Sequence, residues 1–534
     1  MTANTDSATI VQHMCPLCEA GCGLEVHLVK GDVSLIRGDR NDVFSGGFLC
    51  PKGTALKGLQ HDPDRLRMPL IKRNGQFVEV DFDEAFAEVE RLLIPVKEQH
   101  GPLACGVVIG NPTVHRTGLL LYVRDLIAAV GSPNVFSAAT LDQMPKHLSV
   151  GEMFGDFYSV PVPDIERTDL LLIIGANPIV SNGSLWSVPN FRGRAKALRE
   201  RGGKIITIDP RLTETAKAAD QHHHIRPGTD ALFLAAVVNV LFDESLVRLG
   251  RLEPHVIGLA AVQSSVQNFG PDRVARACGI SGDAIRAIAR ELAAAPSAAV
   301  YGRLGTCLQG YGTVTSWLID VINTITANLD EPGGAMFPKA PAFAGNTTGP
   351  SGSGAGVSTG AYHSRVSAAP EVMGQFPMGC LAEEIETPGD GQLRALITIA
   401  SNVALSAADG PRVERALDQL EVLVCLDPYL NETTRHADVI IPGPSHLEEA
   451  HYDVFFSQFG HRNTARFSAA ALTKAPEMLH DWETILRLVA ILSGQGASVD
   501  IGSFDDELTR SLLDETAAEH AEAIMGVLDG QTGI

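Results

Sequence analysis

Long apolar runs that stop abruptly at Gly, Asn or Asp-Pro recur along this chain. "TDLLLIIGANPIVSNGS" (168–184) is apolar without alternation up to Gly175-Ala176-Asn177-Pro178, as a strand buried on both faces and feeding a loop would be. "FRGRAKALRERGGKIITIDPR" (191–211) follows with helical residues, a Gly202-Gly203 stop and a second strand that ends at Asp209-Pro210-Arg211, which predicts a βαβ unit. Residues 394–443 predict another, with Ser401-Asn402 and Asp427-Pro428 at the strand ends. Residues 289–313 read as helix, strand and glycine-punctuated loop, and "VTSWLIDVINTITANL" and "DWETILRLVAIL" (481–492) as helices. The fold class expected is α/β, multidomain, with two Rossmann-like α/β domains.

In open α/β sheets ligands bind beyond the carboxyl ends of the strands, where glycine permits close backbone approach and a carboxylate can accept from a ribose hydroxyl. Gly175, Asn177, Asp209 and Arg211 stand at such ends. No Gly-x-Gly-x-x-Gly fingerprint accompanies them, so ordinary nicotinamide binding is not supported. At 534 residues the chain is too long for one core, and roughly three domains are expected. A formal charge of −21 repels phosphate backbones and makes nucleic acid a poor partner. The N-terminal "MTANTDSATIVQHM" has neither a basic n-region nor a twin-arginine pair. No apolar run has the ~18 residues of a membrane span, so no membrane insertion and a cytoplasmic location are expected.

In a reducing cytoplasm nine cysteines are not a disulfide framework. Four of them form the pattern Cys15-x2-Cys18-x3-Cys22-x27-Cys50. Zinc sites usually come as two separated Cys-x-x-Cys pairs; three bunched thiols and one remote favour an iron–sulfur cluster. Cys105 and Cys425 lie in strand-like apolar runs and read as inert packing, as do the scattered Cys278, Cys307 and Cys380. His222, His223 and His224 tempt a metal assignment, but neighbouring strand residues point to opposite faces, and a surface or partly packed strand is the better reading.

The cysteine motif and the residues around it resemble the molybdopterin oxidoreductase family, which includes formate dehydrogenases, nitrate reductases and dimethyl sulfoxide reductases. The resemblance runs through most of the chain, including "DPDRLRMPLIKRNGQFVEVDFDEAF" (62–86), where a strand pair with an "RNGQ" turn leads into a helix. It implies a [4Fe-4S] cluster on Cys15, Cys18, Cys22 and Cys50, and a Mo (or W) ion held by bis-molybdopterin guanine dinucleotide. Lys52 would lie between cluster and pterin. Cofactor contacts are implied for Gly175, Asn177, Asp209 and Arg211, for Gly228, Thr229 and Asp230 in "IRPGTDALF", for Arg303, Gly305 and Gln309, and for Ser401, Asn402 and Asp427. Each βαβ region would take one nucleotide tail. The division expected is an iron–sulfur domain at 8–63, an α/β domain from 64–134 with 335–470, a cofactor-binding α/β domain at 135–334 and a helical segment at 471–534. The family normally continues into a C-terminal barrel-like domain, of which no sign is read here. "AGNTTGPSGSGAGVSTGAY" (344–362) is either a flexible linker or a loop over the cofactor.

The protein ligand of the metal is, in this family, a Cys, selenocysteine, Ser or Asp in the loop corresponding to 135–156. No cysteine occurs between Cys105 and Cys278. Counting back from Phe154-Gly155 places Asp142 in the ligand position with Gln143 beside it; Ser137 and Thr140 are the alternatives. A carboxylate is a hard oxygen ligand and favours oxygen-atom transfer, as in nitrate reductases. Formate dehydrogenases pair a Cys or selenocysteine with an adjacent His, absent here. The expected function is therefore a molybdopterin-dependent oxidoreductase that passes electrons between a small substrate and the cluster, with a redox partner protein or subunit. A formate dehydrogenase-like enzyme, a non-catalytic electron-transfer subunit and a hydratase with the same cofactor are the other readings.

Overall fold

The structure, a computed structural model, describes residues 9–341 and 356–517, with side chains described up to residue 511. The first strands, Thr9–Met14, Gly23–Val29 and Asp32–Gly38, form an antiparallel meander. Lys30 and Gly31 turn the second hairpin with φ of 55° and 82°, the left-handed pair that a two-residue hairpin turn asks for. The same device recurs at Asn74-Gly75, between Leu70–Arg73 and Gln76–Glu79. This hairpin is the strand pair expected around "RNGQ", and it leads into the helix Phe82–His100, capped by the Asp81 carboxylate accepting from the Glu84 amide at 2.8 Å.

Two parallel sheets make the body. The larger has seven strands in the order Gln76–Glu79, Leu70–Arg73, Val439–Ile441, Val422–Leu426, Ala395–Ile399, Cys105–Ile109, Val135–Ser137; the last five are parallel and the hairpin joins them antiparallel. Its central strands are buried along their whole length, which is why they read as unbroken apolar runs. Phe86, Val89 and Leu93 cover one face together with Ile485, Leu488 and Val489 of the helix Asp481–Leu492, and Leu381, Ile385, Val413 and Leu417 cover the other. The smaller sheet orders Gln221–His223, Lys204–Ile208, Leu170–Ile174 and Ala298–Gly302, all parallel. The helices Asp230–Asp243, Gly282–Ala294 and Gly312–Ile325 fill one side of it, and Trp186, Phe191 and Leu198 the other.

Strand pairing moves two boundaries of the expected division. Val135–Ser137 is hydrogen-bonded to the larger sheet, although 135 was expected to open the second α/β domain. Ala335–Met336 pairs with Val162–Pro163, on the side of the smaller sheet. The helix Asp481–Leu492 belongs to the core of the seven-stranded sheet rather than to a separate segment. Residues 344–355 of the glycine- and serine-rich stretch lie outside the described residues, as does the chain after 517.

Buried histidines make this packing sensitive to acid. His147 is enclosed and gives its Nδ1–H to the Phe157 carbonyl at 2.7 Å, and burial holds its pKa down at about 4. His115, stacked on Phe456, is held at about 4 for the same reason. A lowered folded-state pKa gives stability that is present above the unfolded value of about 6.5 and is lost as pH falls through about 4. Each tenfold difference in proton affinity between the unfolded and folded states is worth on the order of 1.4 kcal/mol. Thermal melts between pH 7 and pH 4 should show steeply falling stability, and His147→Gln should flatten that slope; an unchanged slope would place the acid sensitivity elsewhere.

Candidate active site

All strands of a parallel sheet end on the same side, so each sheet gathers its loops at one edge. A cleft of about 340 Å³ opens at that edge of the smaller sheet, lined by Asp142, Gly175, Asn177, Asp209, Arg211, Arg303 and Gly305 among others. Gly175 has φ +56° and lies so close to Gly305 that a Cβ would meet its backbone at 3.0 Å. Asp230, buried at the start of its helix, accepts from Gln309 Nε2 at 2.9 Å, and the same nitrogen reaches the Gly305 carbonyl at 3.2 Å. Gly228 and Thr229 form the turn before that helix, with the Thr229 hydroxyl donating to the Arg226 carbonyl; neither lines the cleft.

A second cleft, again about 340 Å³, opens at the same edge of the larger sheet and is lined by Asn402 and Asp427, with Arg65, Arg116, Tyr429, Asn431 and His446. Ser401 is buried beside Asn402. The two clefts share one hydrogen-bond plan. Asn177 gives Nδ2–H to Glu214 at 2.7 Å and accepts from the Thr215 hydroxyl at 2.8 Å, and the Thr215 oxygen accepts from the Ile179 amide at 3.2 Å. Asn402 gives Nδ2–H to Glu432 at 2.8 Å and accepts from the Thr433 hydroxyl at 2.8 Å, and the Thr433 oxygen accepts from the Ala404 amide at 3.0 Å. Asp209 and Asp427 each turn the backbone by accepting from the amide two residues on, at 2.8 and 2.9 Å. Asp220 and Asp438 each hold the amide of a neighbouring strand, at 2.8 and 2.9 Å. Sequence reasoning missed Glu214, Thr215, Glu432 and Thr433. The signal was there: "DPRLTET" (209–215) returns as "DPYLNET" (427–433).

Arg65 was missed as well. It is buried in the second cleft with no hydrogen-bond partner on its guanidinium, and its nearest carboxylate, Glu448, is 3.7 Å away. Such a cation is the partner a phosphate wants.

Asp142 follows the short turn Ala138–Leu141 and precedes the helix Met144–Phe154, whose C-cap is Gly155. Its Oδ1 lies 3.3 Å from Nη2 of Arg303, which is buried with Nε unpartnered. Burial pushes the Asp142 carboxyl pKa up, and Arg303 opposes the shift. The alternatives are occupied: Ser137 donates to Gln375 and accepts from the Ala139 amide, and Thr140 donates to the Ser137 carbonyl and accepts from the Met378 amide at 3.0 Å. Gln143 caps the helix through its backbone carbonyl, and its side chain has no hydrogen bond among the described residues. Glu19, next to Cys18, accepts from the Leu185 amide at 2.9 Å and faces Arg303 and Asp142; burial raises its pKa to about 7.

Cys15 and Cys22 are buried, Cys18 and Cys50 half-buried, and all four are free. The Cys15 amide donates to the Cys22 carbonyl at 2.9 Å, and Gly21, at φ +45°, lets its amide turn back to Cys18. Burial pushes the Cys15 thiol up to about 12, and the thiols of Cys18 and Cys50 add to it, while Lys52 opposes the rise. Burial likewise raises the thiols of Cys18 and Cys22, with Lys52 opposing the rise at Cys18 and Arg466 at Cys22; a cysteine set of this kind fits a cationic cluster core, which would hold the thiols deprotonated. Among the described residues no three His, Cys, Asp or Glu converge on a point where a single ion would sit; a four-iron cluster spreads its thiolates wider than one tetrahedral ion does. His222 and His224 meet edge to face and hydrogen-bond to the carbonyls of Asp209 and Pro210, packing the strand edge. Cys105 and Cys425 are buried in strands, as their sequences indicated.

Residues 65–490 match the family model Molybdopterin oxidoreductase, and residues 8–62 match the Molybdopterin oxidoreductase Fe4S4 domain. The chain belongs to the molybdopterin oxidoreductase family. Among its relatives, F420-dependent formate dehydrogenase 1 subunit alpha of Methanococcus maripaludis is 26% identical over 91% of this chain and 70% of its own length. Nitrate reductase of Symbiobacterium thermophilum is 28% identical over 82% and 60%, and formate dehydrogenase H of Escherichia coli 27% over 88% and 67%. The structure of acetylene hydratase from Pelobacter acetylenicus superposes with a TM-score of 0.72 over 91% of this chain and 69% of that one, at 20% identity, which speaks to the fold alone. This member of the family is thus an oxidoreductase with a [4Fe-4S] cluster and a Mo or W bis-pterin cofactor. Its two clefts, glycine cradle and unpartnered Arg65 fit a group with two nucleotide tails. No helix among the described residues is long and apolar enough to cross a membrane.

Iron assay and the electron paramagnetic resonance of dithionite-reduced protein test the cysteine assignment. Cys18→Ser and Cys50→Ser should lose the cluster signal and most of about four irons per chain, whereas Cys105→Ala and Cys425→Ala keep both. Loss of iron in the second pair with retention in the first would reverse the assignment.

Proposed function

We propose that Asp142 is the protein ligand of the metal and that the substrate is a small oxyanion, with nitrate-like oxygen-atom transfer as the reaction. One observation carries this. Of the three candidate oxygen ligands, Asp142 alone lines the cleft, while Ser137 and Thr140 are engaged in hydrogen bonds within the loop and to Gln375 and Met378.

When bound, the metal–pterin group exchanges two electrons with the substrate and the cluster relays them singly. The rest is done by the chain. Arg303, buried against Asp142, supplies a fixed positive charge that offsets the carboxylate and draws an anionic substrate to the same place. For nitrate the balance is two electrons and two protons in, nitrite and water out. Lys52 puts a cation beside Cys15 and Cys18 and would favour the more negative, reduced state of a cluster held there. The two Asn–Glu–Thr networks hold the strand-end loops in the shape that accepts the nucleotide tails, supported by their recurrence at both clefts. Relatives named subunit alpha support a partner subunit or redox protein as electron donor or acceptor. We place the protein in the cytoplasm, in keeping with its acidic, span-free sequence.

Formate oxidation is the second reading, favoured by the names of several relatives. Both are read in one experiment. Holoenzyme is assayed for nitrate reduction with reduced viologen and for formate oxidation with oxidised viologen, beside Asp142→Ala. Nitrate turnover that falls at least ~100-fold in the variant, with an altered oxygen shell in X-ray absorption at the metal edge, is the expected result. An unchanged metal edge and full turnover in Asp142→Ala would remove Asp142 from the metal; formate turnover without nitrate turnover would leave the second reading.

A further inference from the structure

One ion pair stands apart by its burial. Lys146 Nζ donates to Asp320 Oδ2 at 2.6 Å, and the two side chains are 8% and 1% exposed. In every other ion pair among the described residues at least one partner is more than a tenth exposed. Asp320 sits in the middle of the helix Gly312–Ile325, and Lys146 is its one ion-pair partner among the described residues. Two buried charges cost more in desolvation than two packed apolar side chains would, so stability alone does not account for them. What such a pair adds is register. A slip of one helix on the other would leave both charges unpaired against a wall that includes Val160, Leu185, Val300 and Ile319.

Register matters here because of what precedes Lys146. The loop before it is tied to the larger sheet: the Ser137 hydroxyl donates to Gln375, the Met378 amide donates to Thr140 at 3.0 Å, and Leu141 packs against the core of that sheet. The helix Met144–Phe154 is tied to the smaller sheet instead. Lys146 meets Asp320, and Met153, two turns further on, packs against that sheet's core. Asp142 falls between the two anchorages, four residues before Lys146. Arg303 reaches it from the end of the strand Ala298–Gly302, with Nη1 3.4 Å from the Asp142 carbonyl and Nη2 3.3 Å from Oδ1. Lys146, Asp320 and Arg303 border one gap of about 10 Å³. Of the two cations there, Lys146 is taken by Asp320, which leaves Arg303 to Asp142.

We propose that Lys146 and Asp320 are positioning residues for Asp142: their pairing holds the helix Met144–Phe154 in one register on the helix Gly312–Ile325, and so sets the Asp142 carboxylate against Arg303 at the first cleft. The pair acts through the backbone between residues 142 and 146. A ligand fixed at only one end of its loop would sample several positions, and a displacement of about 1 Å at a reacting centre costs on the order of 100-fold in rate. The consequence at the metal rests on the reading of Asp142 as its ligand; the placement of Asp142 against Arg303 does not.

The test compares wild-type holoenzyme with the double variant Lys146→Met, Asp320→Leu and with the conservative Lys146→Arg. The double variant removes both charges at once, and should melt within about 5 °C of wild type with unchanged iron content. Its crystal structure should show the Asp142–Arg303 contact opened, and X-ray absorption a weakened or mixed oxygen shell at the metal edge. Turnover of whichever substrate the wild type accepts should fall on the order of 100-fold, while Lys146→Arg keeps contact, edge and turnover. If the double variant fails to fold or to take up metal, Asp320→Asn, which keeps the shape of the side chain, is read in its place. A wild-type contact, edge and turnover in the variant overturn the proposal. An opened contact with an unaltered edge, in a protein whose Asp142→Ala variant also keeps its edge, would instead overturn the reading of Asp142 as ligand and leave the positioning role in place.

Discussion

The two clefts depend on one arrangement: an asparagine just past a buried strand, holding a glutamate on its amide nitrogen and a threonine hydroxyl on its oxygen. Without it the strand would empty into a loop with no fixed course. Because the threonine oxygen in turn receives the amide two residues beyond the asparagine, two separate backbone segments are set against one another at each cleft, 177–179 against 214–215 and 402–404 against 432–433. The first glycine-type position shows how strongly the plan is kept. Where the smaller sheet has Gly175 at φ +56°, the larger has Ala400 at φ +47°, a conformation that costs an L-residue about 1 kcal/mol. Both amides nevertheless donate to the carbonyl of the adjacent strand end, Ile208 or Leu426.

The clefts are alike in scaffold and different in charge. The first brings together Asp142, Arg303 and Glu19, where the cysteine loop meets the smaller sheet. The second brings Arg65 and the buried Arg116–Asp481 pair, at 2.6 Å, to the larger sheet. One plan, used twice, thus builds a loop cradle at the carboxyl edge of each sheet.

The strands were legible because burial on both faces writes itself as an unbroken apolar run, and one hairpin because Asn-Gly supplies left-handed backbone; the Lys30-Gly31 hairpin was not read. The cysteines were legible from spacing. What could not be read were partners joined only through space: Arg65 meets the residues around Asn402 from a remote part of the sequence, and Glu19 reaches Arg303 across more than half of the chain. The boundaries at 135 and 335 moved for a related reason, since hydrogen bonding between strands, not proximity in sequence, decides which sheet a short strand joins. The Asp-Pro-x-Leu-x-Glu-Thr repeat was present in the sequence but becomes visible only when the two sheets are laid over each other.

The cluster site is closed by distant parts of the chain. His13 is held between the carbonyls of His446 and Ala469, the Met14 amide donates to Ser468, and Leu447 packs beside Cys15. During synthesis the cysteines therefore leave the ribosome hundreds of residues before the segment that walls them in, and contacts of such long sequence separation form late. The thiols stay accessible through that interval. The cysteine loop thus reaches its final surroundings only once the last third of the chain has been made.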